Sequence, residues 1–244
     1  MILFSLLLQA AAPAAPPPAP DCPALLRSDP AKALEMANGR ILQGGGVSAK
    51  QCAALAFAAM EKWPAAAAAF EQAAQQAEHD KMSIAADLWV QAANAHLAAG
   101  EAQPAVAALD AALLTGSLSG FAAGEAHLDR ARGEVALGRL TEARSDLDAA
   151  LKLVPQDPLA WLLSASLARR MGTLGRAQDD IDQAAKLSPD DASVALEAGR
   201  IALATNAPAA ARVAFEGAIR NQPGSEAAKA AQAELDRLGG APKK

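Results

Sequence analysis

The sequence predicts an all-α protein built as a solenoid, in which short helix pairs stack one after another. Hydrophobic residues make up 52% of the 244-residue chain, yet aromatic residues make up only 3% and tyrosine is absent. Alanine therefore carries the apolar content, and alanine is the best helix former. The second observation is a repeated pattern, seen in EARSDLDAALKLVP (142–155), RAQDDIDQAAKLSP (176–189) and AARVAFEGAIRNQP (210–223).

The repeated segments have a fixed period. They end in Pro155, Pro189 and Pro223, which are 34 residues apart (189 − 155 and 223 − 189). A constant period of roughly 20 to 50 residues indicates a repeat architecture. Apolar residues within each segment follow the i, i+3, i+4 spacing of a helix with one buried face. A single helix pair cannot bury that face alone, so we expect the pairs to stack.

Small and large residues recur at fixed positions of the 34-residue unit. In the copy that starts at Pro158, positions 4, 15, 20, 24, 27 and 32 are Trp161, Gly172, Ala177, Ile181, Ala184 and Pro189. This pattern resembles the tetratricopeptide repeat (TPR), a helix–turn–helix unit of 34 residues. The resemblance implies a right-handed solenoid of about five repeats, which spans 47–225 with units near 47–80, 86–119, 124–157, 158–191 and 192–225.

Helical caps are expected at both ends of the array. Residues 21–46 contain the helical pattern DPAKALEMANGRIL (29–42), which predicts an N-terminal helical cap. Residues 226–240 predict a C-terminal capping helix with Ser225 as its N-cap residue. Between the second and third units, about four extra residues around 118–121 predict a surface loop.

Residues 1–20 resemble an export signal followed by a Pro/Ala-rich spacer. The apolar run at 1–8 is too short to span a bilayer, which takes roughly 20 residues. It fits the apolar region of a secretory signal, and Ala10–Ala12 offer a small-residue cleavage site. The prediction is therefore an exported, periplasmic protein with no stable transmembrane span. A cytosolic chain with an apolar leader is the alternative, since no Lys or Arg precedes the run.

Cys22 and Cys52 are the only two cysteines of the chain. An even count in an exported protein predicts a disulfide between them. The alternative is a pair of small buried thiols, as is common for cysteines in helices. Two cysteines and three dispersed histidines offer no ligand cluster, so no metal site is expected.

The sequence offers no catalytic motif, and we predict that the protein is not an enzyme and uses no cofactor. The net charge of −5 argues against nucleic-acid binding, which needs clustered Lys and Arg to meet phosphates. His96 and His127 occupy positions 11 and 4 of their units, where TPR proteins usually carry an aromatic ring. We therefore expect both imidazoles to pack between helices.

The resemblance also implies a binding surface. In TPR proteins, positions 2, 5, 9, 12 and 13 of the first helix line the concave groove. The candidate groove residues at these positions are Val90, Asn94, Leu128, Arg132, Leu162, Arg169, Arg170, Leu196 and Arg200. Aliphatic residues flanked by arginines suit a peptide with apolar anchors and a carboxylate, which arginine can bind bidentately. Alternatively, the aliphatic residues pack between helices and the arginines are solvated.

The predicted function is that of a protein–protein interaction scaffold of the cell envelope, which binds a partner protein or peptide in the groove. A known clamp for acidic C-termini needs Lys and Asn at set groove positions, and only Asn94 matches it. That specific function is therefore not implied. The alternative is a self-associating structural subunit, or an accessory subunit of an envelope complex, so homo-oligomer formation stays open.

Overall fold

A computed structural model of the chain describes residues 21–240, which contain 13 helices and no strand. The predicted leader at 1–20 lies outside these described residues. The helices are α1 (Cys22–Ser28), α2 (Pro30–Leu42), α3 (Gly46–Ala59), α4 (Trp63–His79), α5 (Ala85–Ala98), α6 (Ala102–Leu114), α7 (Gly120–Ala136), α8 (Leu140–Leu153), α9 (Pro158–Arg170), α10 (Leu174–Leu187), α11 (Ala192–Ala204), α12 (Pro208–Asn221) and α13 (Glu226–Gly240).

Ten of these helices form five successive pairs, from α3–α4 to α11–α12. Each helix packs mainly on the helices before and after it in the chain. The helices α1 and α2 precede the first pair, and α13 packs on the last one. The predicted all-α solenoid of five helix pairs with a helical cap at each end is thereby confirmed.

A left-handed residue makes the tight turn within every pair. Position 15 of the five units is Glu61, Gly100, Gly138, Gly172 and Asn206, and all have φ between 56 and 77°. Glycine adopts this conformation without steric cost, whereas a residue with a Cβ is strained there. Glycine is therefore favoured at this turn, and the first and last pairs form it with a less favourable residue.

The core lies between the two helices of each pair and between successive pairs. Small residues at positions 8, 20 and 27, all alanine except Gly199, let the helices approach closely, and a bulky residue fills the remaining space. Position 24 supplies that residue as Phe70, Leu109, Leu147, Ile181 and Phe215, none of which is more than 3% exposed. Burying one such side chain contributes roughly 1.5 to 3 kcal/mol.

The N-terminal helices are linked covalently to the first pair. Cys22 of α1 and Cys52 of α3 form the expected disulfide, with their Cα atoms 6.1 Å apart. Cys52 is buried beside Ala37 and Ala53, so the bond joins α1 to the packed interior of α2 and α3. It closes a loop across 30 residues of sequence separation.

The C-terminal helix α13 is capped by a side chain. The Oγ atom of Ser225 accepts a hydrogen bond from the backbone N–H of Ala228 at 3.1 Å. Ala228 and Ala231 are buried, while most of the other residues of α13 are partly or fully exposed. The helix thus covers the apolar end of the stack and presents a polar face outward.

The prediction of a loop at 118–121 is wrong for residues 120 and 121. Helix α7 begins at Gly120, so Phe121 lies in its first turn and not in a loop. The alanines that follow Phe121 favour helix, and α7 reaches 17 residues where α9 has 13. The inserted residues are therefore taken up as one extra helical turn.

Among the helices in residues 21–240, none is long and apolar enough to cross a membrane.

Candidate functional site

The nine candidate groove residues lie on the first helices of four successive pairs. We call this surface the groove face; its members are Val90 and Asn94 on α5, Leu128 and Arg132 on α7, Leu162, Arg169 and Arg170 on α9, and Leu196 and Arg200 on α11. Successive first helices are neighbours in the stack, so the repeat brings these residues onto adjacent helices.

The aliphatic members of the groove face are mostly packed. Leu128 is 2% exposed and Leu196 is 8% exposed, so both belong to the core between neighbouring helices. Val90 and Leu162 are half-buried, and each packs against a different apolar cluster, that of α3 to α7 and that of α9 to α11. These side chains form a floor, of which only the half-buried members have surface left to contact a ligand.

One cavity opens on the groove face, between α7, α8 and α9. Its volume is about 70 Å³, and its bottom is apolar, with Leu147 and Leu167 among its lining residues. Arg132 of α7 and Ser166 and Arg170 of α9 supply the polar part of the lining. The cavity thus joins an apolar pocket for roughly one small side chain to two guanidinium groups and a hydroxyl.

The two arginines at this cavity are accessible. The side chain of Arg132 is 55% exposed, and its only ion pair within residues 21–240 is with Asp129, at 2.9 Å on the same helix. Burial raises the pKa of the Asp129 carboxyl, and the charge of Arg132 and its hydrogen bond oppose that rise. Arg170 is exposed at the end of α9 and has no ion pair among the described residues.

Arg169 and Arg200 have a different environment. The Nε atom of Arg169 donates a hydrogen bond to Oε1 of Glu197 at 2.6 Å, and Glu197 is only 4% exposed. Arg200 lies 3.9 Å from the same carboxylate and 3.7 Å from Glu234 of α13. Both arginines therefore join α9, α11 and α13, and their charges are already compensated within the protein.

Glu197 was missed in the sequence. It lies at position 6 of its unit, in the otherwise apolar stretch VALEAG, where it forms the centre of the ion pairs just described. A charged residue inside an apolar helical pattern signals a buried partner, because an unpaired buried charge is costly. The partner itself, Arg169, is 28 residues away and could not be identified from the pattern.

His96 and His127 lie between helices, as expected. His96 is 8% exposed, and its Nδ1 and Nε2 atoms lie 2.7 Å from Glu101 and 3.0 Å from Glu71. The Nδ1 atom of His127 lies 2.9 Å from Asp146. Each imidazole therefore connects neighbouring helices. Within residues 21–240, no group of three or more His, Cys, Asp or Glu residues is arranged to hold a metal ion.

The fold is that of a helical repeat protein, in which the first helices of stacked helix pairs carry the groove face. Two family models described as tetratricopeptide repeat match residues 124–167 and 164–226. These matches and the 34-residue helix pairs show that the chain contains tetratricopeptide repeats. No curated protein sequence matches the chain.

Solved structures of low sequence identity share this fold. YrrB, described as a TPR protein with an unusual peptide-binding site, is 20% identical with a TM-score of 0.62, over 82% of this chain and 100% of YrrB. The pilF protein of Pseudomonas aeruginosa is 15% identical with a TM-score of 0.60, over 86% and 99% of the two chains. MamA is 13% identical with a TM-score of 0.60, over 69% and 93%.

Proposed function

We propose that the protein is a non-enzymatic interaction scaffold of the cell envelope, which binds a partner protein or peptide on its groove face. The observation that carries this proposal is the cavity between α7 and α9, where Arg132 and Arg170 lie beside an apolar pocket. A carboxylate of the partner would meet the two guanidinium groups, and an apolar side chain would enter the pocket. The similarity in fold to YrrB, a TPR protein with a peptide-binding site, supports a peptide ligand.

Location in the envelope is supported by two features. The Cys22–Cys52 disulfide fits an oxidising compartment, because thiols are kept reduced in the cytosol. The apolar run at 1–8, followed by small residues, fits an export signal. Fractionation of cells that produce a tagged protein, with N-terminal sequencing of the mature chain, tests this part of the proposal.

The groove is tested by in-cell crosslinking, affinity capture and mass spectrometry. The informative variant is Arg132→Glu with Arg170→Glu, because these two arginines line the cavity, whereas Arg169 and Arg200 hold helices together. We expect the wild type to capture one defined envelope protein and the variant to lose it. A double change at Arg212 and Arg220, both exposed on α12, alters the charge equally and should keep the partner.

Two results would overturn the proposal. Equal capture of the partner by the wild type and the cavity variant would show that the groove face does not bind it. Capture of the protein itself and nothing else, equally from both, would favour a self-associating structural or accessory subunit. Circular dichroism of each variant checks that the helices are intact.

A further inference from the structure

Exposed bulky apolar residues are concentrated along one edge of the solenoid. The two helices of a pair run in opposite directions, so all connections between pairs lie on the same edge, which we call the inter-pair edge. Within residues 21–240, eight large hydrophobic residues are exposed, and six of them lie on this edge: Leu42, Met82, Leu114, Phe121, Leu153 and Leu159. The other two are Met171 and Val213.

Three of the six line a single cleft at the seam between the third and fourth pairs. Phe121 is 69% exposed, Leu159 47% and Leu153 40%. With the turn 154–158 they enclose a volume of about 600 Å³, which we call the edge cleft. That volume lies in the range of ligand pockets, about 300 to 1,000 Å³. It is large enough for two or three side chains of a partner.

The extra turn of α7 creates this cleft. Phe121 belongs to the inserted residues that lengthen α7 at its N-terminus, and no other first helix of the five pairs reaches 17 residues. A bulky aromatic ring on an added turn, left mostly in water, has no role in the core. The insertion therefore places Phe121 opposite Leu159, where together they form a surface that a regular repeat lacks.

The charge of the cleft is negative. Its ionisable lining groups are Glu125 and Asp157, and no Lys or Arg is among the lining residues. Neither carboxylate has an ion pair within residues 21–240, although Oδ1 of Asp157 accepts a hydrogen bond from the backbone N–H of Leu159 at 2.9 Å. Burial raises the pKa of the Glu125 carboxyl, and the nearby charges of Asp157 and Asp129 add to that rise. A cation placed beside Glu125 would relieve this repulsion.

We propose that the edge cleft is a docking site for a polypeptide segment that carries a Lys or Arg next to bulky apolar side chains. The apolar side chains would cover Phe121, Leu153 and Leu159, and the cation would lie at Glu125 and Asp157, within reach of the Phe121 ring face. An anionic lipid surface does not fit, because two carboxylates line the cleft. A two-fold contact with a second copy would bring two acidic clefts together.

This site is separate from the groove face, since it shares no lining residue with the cavity at Arg132 and Arg170. Its test is therefore independent of the function proposed above. The probe is a phage-displayed library of random dodecapeptides, selected on the immobilised wild-type chain. Enriched peptides are then synthesised, and their affinities are measured by fluorescence anisotropy.

We expect the enriched peptides to carry Lys or Arg within two residues of Trp, Phe or Leu. The variant Phe121→Ser with Leu159→Ser should weaken their binding by about tenfold or more, the size expected for the loss of buried anchors. Glu125→Lys should weaken it comparably by placing like charges together. Leu42→Ser with Val213→Ser removes exposed apolar surface elsewhere, and this control should bind as the wild type does.

The groove variant Arg132→Glu with Arg170→Glu should also bind the selected peptides normally. Peptides that bind the Phe121→Ser, Leu159→Ser variant as well as the wild type would overturn the proposal, as would enrichment of acidic peptides alone or of none. Sedimentation of the wild type and of the Phe121→Ser, Leu159→Ser variant tests whether a second copy of the chain occupies the cleft instead. Self-association of the wild type that the cleft variant loses would assign the cleft to a second copy and overturn the peptide partner.

Discussion

The first two helix pairs and the last three are held together differently. A single apolar cluster runs through α3 to α6 and ends at Ala126 of α7, with Phe70, Leu88, Trp89 and Leu109 as its bulky members. The last three pairs instead contain three smaller apolar clusters. Arginine–carboxylate ion pairs join one pair to the next in this second region, Arg169 with Glu197 and Arg176 with Asp148, whereas His96 and Trp89 make the polar contacts between the first two pairs.

Buried polar side chains are also unevenly distributed between the two regions. In residues 21–240, six polar or charged residues are buried: His96 in the first region and Glu134, Asp146, Ser164, Asp180 and Glu197 in the second. The Nε atom of Arg130 donates to Asp146 at 2.9 Å, and Ser164 donates a hydrogen bond to Asp180. Arg176 forms ion pairs with Asp148 and Asp180.

The comparison teaches how repeats that share one pattern of small and large residues can select one neighbour. The last three units have the most regular sequences, so their apolar faces resemble each other and discriminate little between alternative packings. A buried charge tolerates only a packing that supplies its partner, because removing one partner is far more costly than the pair is stabilising. The first two units differ more in sequence, and their irregular apolar shapes suffice.

The largest effect we expect concerns the first region. Reduction of the Cys22–Cys52 disulfide should lower the free energy of unfolding by about 3 to 4 kcal/mol, the chain-entropy value for a loop of roughly 30 residues. Urea unfolding with and without dithiothreitol measures this change. Hydrogen exchange should quicken in α1 to α3 and stay unchanged in α7 to α12.

A Cys22→Ser variant is the control for the disulfide experiment. It should have the lower stability from the start and should not respond to dithiothreitol. An equal loss of protection throughout the solenoid would contradict the idea that the two regions are held separately.

The second effect concerns the ion pairs of the later region. Asp146→Ala should lower the free energy of unfolding by about 2 kcal/mol. It removes the carboxylate that binds Nη2 of Arg130 and Nδ1 of His127, and both groups are largely buried. Asp110→Ala is a matched control, since Asp110 binds the same arginine but its side chain is 52% exposed. We expect Asp110→Ala to lower the free energy of unfolding by less than about 1 kcal/mol. Equal losses, measured by urea unfolding, would mean that burial of the pair does not matter.

A smaller effect should come from apolar packing in the last pair, where no charged residue is changed. A Cβ atom at Gly199 would overlap the ring of Phe215, so Gly199→Ala should lower the free energy of unfolding by about 1 to 2 kcal/mol despite the better helix propensity of alanine. The third and fourth units pair alanine at this position with Leu147 and Ile181, which are smaller than Phe215. Adding Phe215→Leu should therefore recover most of the loss. No recovery in the thermal unfolding midpoint would locate the strain elsewhere.

The smallest effect is a pH dependence. Burial alone would raise the pKa of Asp146, but hydrogen bonds from His127 and Arg130 outweigh it and hold the pKa below the ordinary value of 3.8. A lowered pKa in the folded state stabilises the protein above pH 3.8, and this contribution is lost as pH falls through the folded-state pKa. The stability difference between the wild type and Asp146→Asn should therefore shrink below pH 3.8.

That comparison is checked by urea unfolding at several pH values between 7 and 3. Glu125 is a useful contrast, because its pKa is raised and its charge is unfavourable in the folded state. Its contribution to stability is present at low pH and is lost as pH rises, so Glu125→Gln should raise stability at pH 7. A difference for Asp146→Asn that is constant with pH would show that its charge plays no part.

The sequence by itself determined the repeat and the place of each residue within it. The positions of the turn residues, of the close alanines and of bulky residues such as Phe215 follow from a period of 34 and from helical spacing, which are local properties. The capping role of Ser225 is equally local, because an N-cap bonds within its own first turn. For the groove, the same periodicity put Arg132, Arg169 and Arg200 on one face.

Only the tertiary structure decided which of these arginines are available. Arg169 and Arg200 meet Glu197, while Arg132 and Arg170 stay accessible at a cavity. It also decided that the inserted residues lengthen α7 and expose Phe121 beside Leu159. The physical reason is that periodicity sets the direction of a side chain from its own helix. The partner it meets depends on how closely the neighbouring helices approach.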